Sequence, residues 1–324
     1  MRPSFLPKLV NGDLFDPVVY VRVLNERKAV MFDCGQIHDL ANREILLVDS
    51  IFISHPHMDH FVGLDHVLRI ILHRQMPLNV FGPEGITDKV LAKLHAYTWN
   101  LTQIYSLEII IHEILPDLII VTRTRASNGF EPESQESFDR KSPLIAASSR
   151  YSVEAVILDH NIPCLGFVLK EPFHINIRPD MLVLHGLVTG SWLGRLKELI
   201  LADKLDTLVN VKTVTGEQQF RVSELMDALV LINAGQKIAY FTDLRYSQEN
   251  LESIASIAAG CDILFIETFY LHELKEEAFA RAHLTAYQAG EFARKLNARQ
   301  VIPMHISPRY HHRVEEILKE VHRS

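Results

Sequence analysis

Positive charge is the first thing this chain has little of: 33 Lys and Arg stand against 40 Asp and Glu, a formal net charge of -7 over 324 residues. Affinity for phosphate backbones comes largely from clustered Lys and Arg, so the composition argues against broad, nonspecific nucleic-acid binding and leaves room only for a local basic groove. Cysteine is nearly missing as well. Cys34, Cys164 and Cys261 lie far apart in apolar or strand-like contexts with no Cys-x-x-Cys pair, which excludes a thiolate metal site and reads as small buried hydrophobes in a reducing compartment. No apolar run approaches the roughly 20 residues needed to span a bilayer, and the start of the chain lacks the basic-then-apolar layout of a signal peptide. The expectation is therefore a cytoplasmic protein with no membrane partner. With 48% hydrophobic residues, the chain has enough apolar material for one large core, so a single domain over residues 1–324 is expected.

What the chain does have is histidine, 17 of them, and four potential metal ligands fall within Ser54-His55-Pro56-His57-Met58-Asp59-His60. The apolar run Val48-Asp49-Ser50-Ile51-Phe52-Ile53 predicts a strand that delivers them, and the residues from Phe61 to Arg69 predict a helix behind. On extended backbone, side chains two apart point the same way, so His55 and His57 can grip one cation. Asp59 and His60, where the chain turns into the helix, can face a second cation beside it, the arrangement of a two-metal hydrolase. Further ligands stand at the ends of later apolar strands: His160 after Val153–Asp159, Asp243 after Lys237–Thr242, and His305 after Gln300–Met304. Strand ends opening into loops are where active sites concentrate.

Together these blocks resemble the ribonuclease Z branch of the metallo-β-lactamase superfamily. His55-Pro56-His57-Met58-Asp59-His60 is similar to the superfamily His-x-His-x-Asp-His signature. The run from Leu158 to Phe167 resembles the third-histidine block, and Tyr240-Phe241-Thr242-Asp243-Leu244-Arg245 the bridging-aspartate block. Ile266-Glu267-Thr268-Phe269 and Ala282-His283-Leu284-Thr285-Ala286 resemble the Glu and His blocks of the ribonuclease Z branch, and Met304 to Tyr310 its last-histidine block.

The resemblance implies an αββα sandwich of two mixed β-sheets with helices on both outer faces. It also implies two zinc ions, with manganese or iron as alternatives: His55, His57 and His160 hold one, Asp59, His60 and His305 the other, and Asp243 bridges them. Asp59 orients a hydroxide between the ions, His283 donates a proton to the departing oxygen, and Glu267 sets the His283 tautomer. Ser307 and Arg309, beside His305, are weaker candidates for substrate contact, the guanidinium suited to a phosphate oxygen. The activity implied is phosphodiester hydrolysis in tRNA 3′ trailer processing by a homodimer.

Four departures from the family pattern stand out: no Gly-rich opening turn, Gln36 where Glu commonly follows Asp33-Cys34-Gly35, Thr242 where glycine usually precedes the bridging aspartate, and no long Gly/Pro-rich arm between His160 and Asp243 for grasping the tRNA elbow. They keep two alternatives open, a small-molecule or cyclic-nucleotide phosphodiesterase or esterase of the same fold, and a non-catalytic, metal-stabilised binding protein. Residues 122–152, dominated by Ser, Glu, Arg, Pro and Gly, are expected to form a mobile insertion. The remaining histidines, including His66, His73, His95, His112, His174 and His272, lack partners at ligand spacing and are read as surface or core residues.

Overall fold

Runs of Val, Ile and Phe at strand-like spacing build two sheets in the computed structural model, which describes residues 3–24 and 26–323. The first sheet takes its strands in chain order: β1 (Phe5–Leu9), β2 (Val19–Val23), β3 (Lys28–Phe32), β4 (Val48–Phe52), β5 (Leu78–Pro83), β6 (Glu108–Ile114), β7 (Leu118–Arg125) and β8 (Pro132–Asp139). Its centre, β3 to β6, is parallel, and its flanks are antiparallel. The chain continues through β9 (Leu144–Ala147), β10 (Ser152–Asp159) and β11 (Pro163–Lys170). After β12 (Phe173–Ile177), β13 (Leu208–Thr213), β14 (Gly216–Arg221) and β15 (Val230–Ala234) come β16 (Lys237–Phe241), β17 (Ile263–Glu267) and β18 (Gln300–Met304). The second sheet has the order β18-β17-β16-β11-β10-β9.

The two sheets pack through aromatic side chains. Phe32 and Phe52 from the first meet Phe167 and Tyr240 from the second, with Phe32 stacked on Tyr240 at 5.5 Å between ring centroids and Phe81 stacked on Phe52 within the first sheet. Helices Leu64–Ile71 and Ile86–His95 bury their apolar stripes with the first sheet, and Gln248–Ala258 and Ala286–Lys295 with the second. This is the expected αββα sandwich.

By contacts the chain divides into two compact units where a single domain was expected. The larger comprises Pro3–Ile145, Val153–Leu169 and Lys237–Ser324 and holds both packed faces of the sandwich. The smaller includes Ala146–Ser152 and Lys170–Gln236. In it β12 pairs with β15 and β13 with β14, both antiparallel, and three helices close a core around Trp192, Leu196, Leu199, Val211, Val222 and Leu225. Residues 122–152, expected as a mobile insertion, carry the end of β7, all of β8 and β9, and the first residue of β10. Strand β8 is exposed at seven of its eight positions, so its ladder to β7 holds it and its side chains carry no burial pattern.

Two glycines fix the turn that carries Asp59 and His60. The Cys34 N–H donates to His60 O and the Gly63 N–H to Cys34 O, both at 2.8 Å. A Cβ on Gly35 would lie 2.1 Å from Asp59 O, and one on Gly63 2.0 Å from Gly35 O. Only glycine permits these backbones to touch.

Candidate metal centre

Strands β16, β17 and β18 run parallel, with Phe241 opposite Ile266 and Glu267 opposite Met304, so their carboxyl ends lie along one edge. Asp243, Glu267 and His305 are brought together there. From the facing sheet, the turn after β4 delivers His55, His57, Asp59 and His60, while His160 follows β10 in the same sheet as β16, β17 and β18. All belong to the larger unit.

Ligand atoms lying within 4.8 Å of one another form overlapping groups: His55, His57 and His160; Asp59, His60 and His305; His55, His60 and Asp243; and Asp243, Glu267, His283 and His305. The seven residues expected as ligands are thus assembled, and the first two groups correspond to the two expected cation sites. Asp243 lies between them: one carboxylate oxygen is 2.7 Å from His60 Nε2 and 3.4 Å from His55 Nε2, the other 2.9 Å from His305 Nδ1. Asp59 reaches His305 Nε2 at 3.3 Å and His60 Nε2 at 3.5 Å.

Two observations fit this cluster to divalent cations. His60 Nε2 and Asp243 Oδ1 are buried and have no aligned hydrogen-bond partner, close as their neighbours are, an arrangement that is costly unless another electrophile meets them. The donor set, imidazoles with carboxylates and no thiolate, suits zinc, manganese or iron.

Burial and the neighbouring His60 drive the His55 pKa down to about 2, so its imidazole is neutral and ready to ligate. Burial opposes charge on His60 too, but Asp243 and Asp33, one at each ring nitrogen, outweigh it and push the pKa well up. For Asp59, burial raises the pKa, yet hydrogen bonds with His305 and His60 hold it below the usual carboxylate range.

Backbone strain gathers here. Asp33, Asn161, Asp243, Ala282 and His305 all have φ between 50° and 62°, the left-handed region that side chains other than glycine seldom adopt. Such strain concentrates where surrounding structure imposes a functional geometry.

His283 and Glu267 adjoin the cluster. His283 Nδ1 lies 2.8 Å from Glu267 Oε2 and 3.2 Å from Asp243 Oδ1, and its ring stacks on Phe269 at 4.1 Å. Glu267 is fully buried and held by the N–H groups of Leu244 and Leu284. Burial lowers the His283 pKa, but Glu267 and Asp243 overcome it and raise it to about 10. Ser307 is buried beside His305. The Arg309 guanidinium is engaged in two bonds to Glu277, at 3.2 and 3.4 Å, and lies over the Tyr270 ring.

Asp33 was missed from sequence as a functional residue. Buried beneath the cluster, it accepts from Ser54 N and Oγ at 2.6 and 2.7 Å, from Tyr240 Oη at 2.6 Å and from His60 Nδ1 at 2.7 Å. Its only sequence signal is its place before Cys34-Gly35 at the end of β3. The histidines read as bland are occupied elsewhere: His66 packs edge-on against His38, His112 bonds Asn79, and His272 bonds Thr285.

Known proteins share this architecture. The family described as Beta-lactamase superfamily domain matches residues 206–306. Ribonuclease Z of Deinococcus radiodurans is 29% identical over 284 residues, covering 87% of this chain and 83% of that protein. Ribonuclease BN of Proteus mirabilis is 29% identical over 309 residues, covering 92% and 86%. The crystal structure of the short form of human tRNase Z superposes with a TM-score of 0.56 at 17% identity, over 94% of this chain and 93% of that one. The fold and these similarities point to the class of metal-dependent hydrolases, and the chain is similar to the metallo-β-lactamase superfamily. Within that class the chain is ribonuclease Z-like.

Proposed function

We propose that this protein is a dizinc phosphodiesterase that removes the 3′ trailer from precursor tRNA. The observation that carries the reading is the Glu267–His283 pair set against a complete group of seven ligands: a buried carboxylate bonded to His283 Nδ1 at 2.8 Å, beside Asp243. His55, His57 and His160 would hold one cation and Asp59, His60 and His305 the other, with Asp243 placed to serve both. Two bound cations supply charge neutralisation at the phosphodiester and lower the pKa of water in the site.

The chain's own groups do the rest. Asp59, kept ionised by His305 and His60, orients the attacking oxygen. Glu267 accepts a hydrogen bond from His283 Nδ1 and so favours the protonated ring, whose Nε2 proton can go to the departing oxygen. Phe269, stacked on the ring, fixes its plane. Cytoplasmic residence and a homodimer go with this reading; among the described residues, no helix is long and apolar enough to cross a membrane.

A specific observation favours a second reading, a small phosphodiester or cyclic nucleotide as substrate. Residues 170–236, where the family places its RNA-grasping arm, carry seven Lys and Arg against eight Asp and Glu and so offer no excess charge to a phosphate backbone.

The test is cleavage of a 3′-extended precursor tRNA by the zinc-loaded protein, with the cut mapped and the salt dependence measured. A single metal-dependent cut just after the discriminator base, weakening steeply with salt, is expected. Failure to cut, by a preparation that hydrolyses a small activated phosphodiester without salt dependence, moves the substrate to the small-molecule class.

A further inference from the structure

Arg245, two residues past Asp243, grips two segments at once. Its Nε donates to Asp159 Oδ2 at 2.7 Å, its Nη2 donates to Asn161 Oδ1, and its own N–H donates to Asp159 O at 2.8 Å. Those residues flank His160. Nη1 donates to Phe279 O at 2.6 Å, and the guanidinium lies over the Phe279 ring, 4.8 Å from its centroid. Phe279 O also accepts the Ala282 N–H in the turn that ends helix Lys275–Ala280, and His283 follows that turn directly.

The segments meet again nearer the candidate ligands, where His160 Nδ1 bonds Ala282 O at 2.8 Å. Asn161 and Ala282 are both held at positive φ, 62° and 55°. A strained turn keeps its shape only where its surroundings over-determine it, and here one planar fork of donors supplies the restraint to both. Asn250 closes the arrangement from behind, its Nδ2 donating to Arg245 O and Asp159 O.

We propose that Arg245 is a positioning residue: it clamps the His160 loop and the Phe279–Ala282 turn to the strand end carrying Asp243, and so sets the distance between the His283 proton donor and the metal ligands. The inference rests on His283 acting as that donor. It gives the guanidinium a role in the chemical step although it touches neither metal nor substrate. A proton donor displaced from its line costs rate only where the leaving oxygen needs the proton.

The experiment compares p-nitrophenyl and methyl esters of one nucleoside phosphate, hydrolysed by the zinc-loaded full chain carrying Arg245→Met, Arg245→Lys or Asn161→Gly, with His283→Ala as reference. Nitrophenolate leaves unaided; methoxide must be protonated. Arg245→Met is expected to lose about a hundredfold in kcat on the methyl ester and less than about threefold on the nitrophenyl ester, the cost of misplacing a donor by about 1 Å. KM and zinc retention against a chelator should stay at the parent level, and Arg245→Lys should recover part of the loss. Asn161→Gly suits the positive φ, removes one arm of the clamp, and should show the same selectivity at smaller size if Arg245→Met does not fold.

Equal losses on both esters, or zinc lost to the chelator, in a series where His283→Ala is selective, would overturn the inference and make Arg245 a holder of the metal ligands. A His283→Ala enzyme with no selectivity overturns the donor reading and this inference with it.

Discussion

Most of the imidazoles in the centre spend one ring nitrogen on a protein partner, and that partner decides which nitrogen is left for a metal. His60 gives Nδ1 to Asp33, His160 gives Nδ1 to Ala282 O, and His55 Nδ1 lies 3.1 Å from Ser54 Oγ, which donates onward to Asp33. Such outer partners fix tautomer and ring orientation and raise ligand basicity. They were not legible in the sequence, because a carboxylate 27 positions from its histidine has no spacing signature. The candidate ligands that the structure brings together were legible, since the blocks that carry them follow apolar strands. His112 shows the opposite kind of histidine. It is stacked on Phe81 and bonded to Asn79, and burial, with Arg123 nearby, lowers its pKa from 6.5 to about 4. The unfolded chain therefore takes up the proton first, so the stability His112 contributes is fully present above pH 6.5 and is lost as pH falls toward 4. The full shift corresponds to about 3 kcal/mol at most. Urea unfolding at pH 7 and pH 4.5 should show a smaller acid loss in His112→Gln than in the parent; identical losses would count against this.

At the scale of elements, the polar strands escaped sequence reading for a physical reason. Pro-Glu-Ser-Gln-Glu-Ser-Phe-Asp in β8 and Gly-Glu-Gln-Gln-Phe-Arg in β14 are held by backbone ladders with nearly every side chain in solvent, so no alternation marks them. The pair at Glu108–Ile114 and Leu118–Arg125, broken at Pro116, was legible because it buries β-branched residues. The helices from Gln248 onward were legible by their apolar stripes. A more exacting element is the crossing of Gly35 and Gly63. Gly63→Ala places a methyl 2.0 Å from Gly35 O, and the turn bearing Asp59 and His60 must move. Overpacking of this kind costs about 1–3 kcal/mol or more. The variant should unfold at lower temperature and release zinc to a chelator more readily than the parent. Parent-like values for both would show that the contact does not set the ligand turn.

For the whole molecule, the parallel strands explain why so many distant blocks converge. Ligands in open α/β sheets sit beyond the carboxyl ends of the strands, and here the ends of β4, β16, β17 and β18 each lead into residues of one cluster. The aromatic layer between the sheets holds those ends in register, so the centre is a property of the sandwich rather than of any single motif. Charge belongs to this scale too: with a net -7, and near balance within residues 170–236, the concentrated positive charge a phosphodiester would meet has to come from divalent cations bound at the cluster. If seven side chains from both halves of the sandwich form a two-metal site, chelator-stripped protein titrated with zinc will show it in the bound metal counted per chain, beside an Asp243→Asn variant. Saturation at two zinc ions, with fewer retained once the shared carboxylate is lost, is the expected result; saturation at one or none, or a variant that binds like the parent, would contradict it.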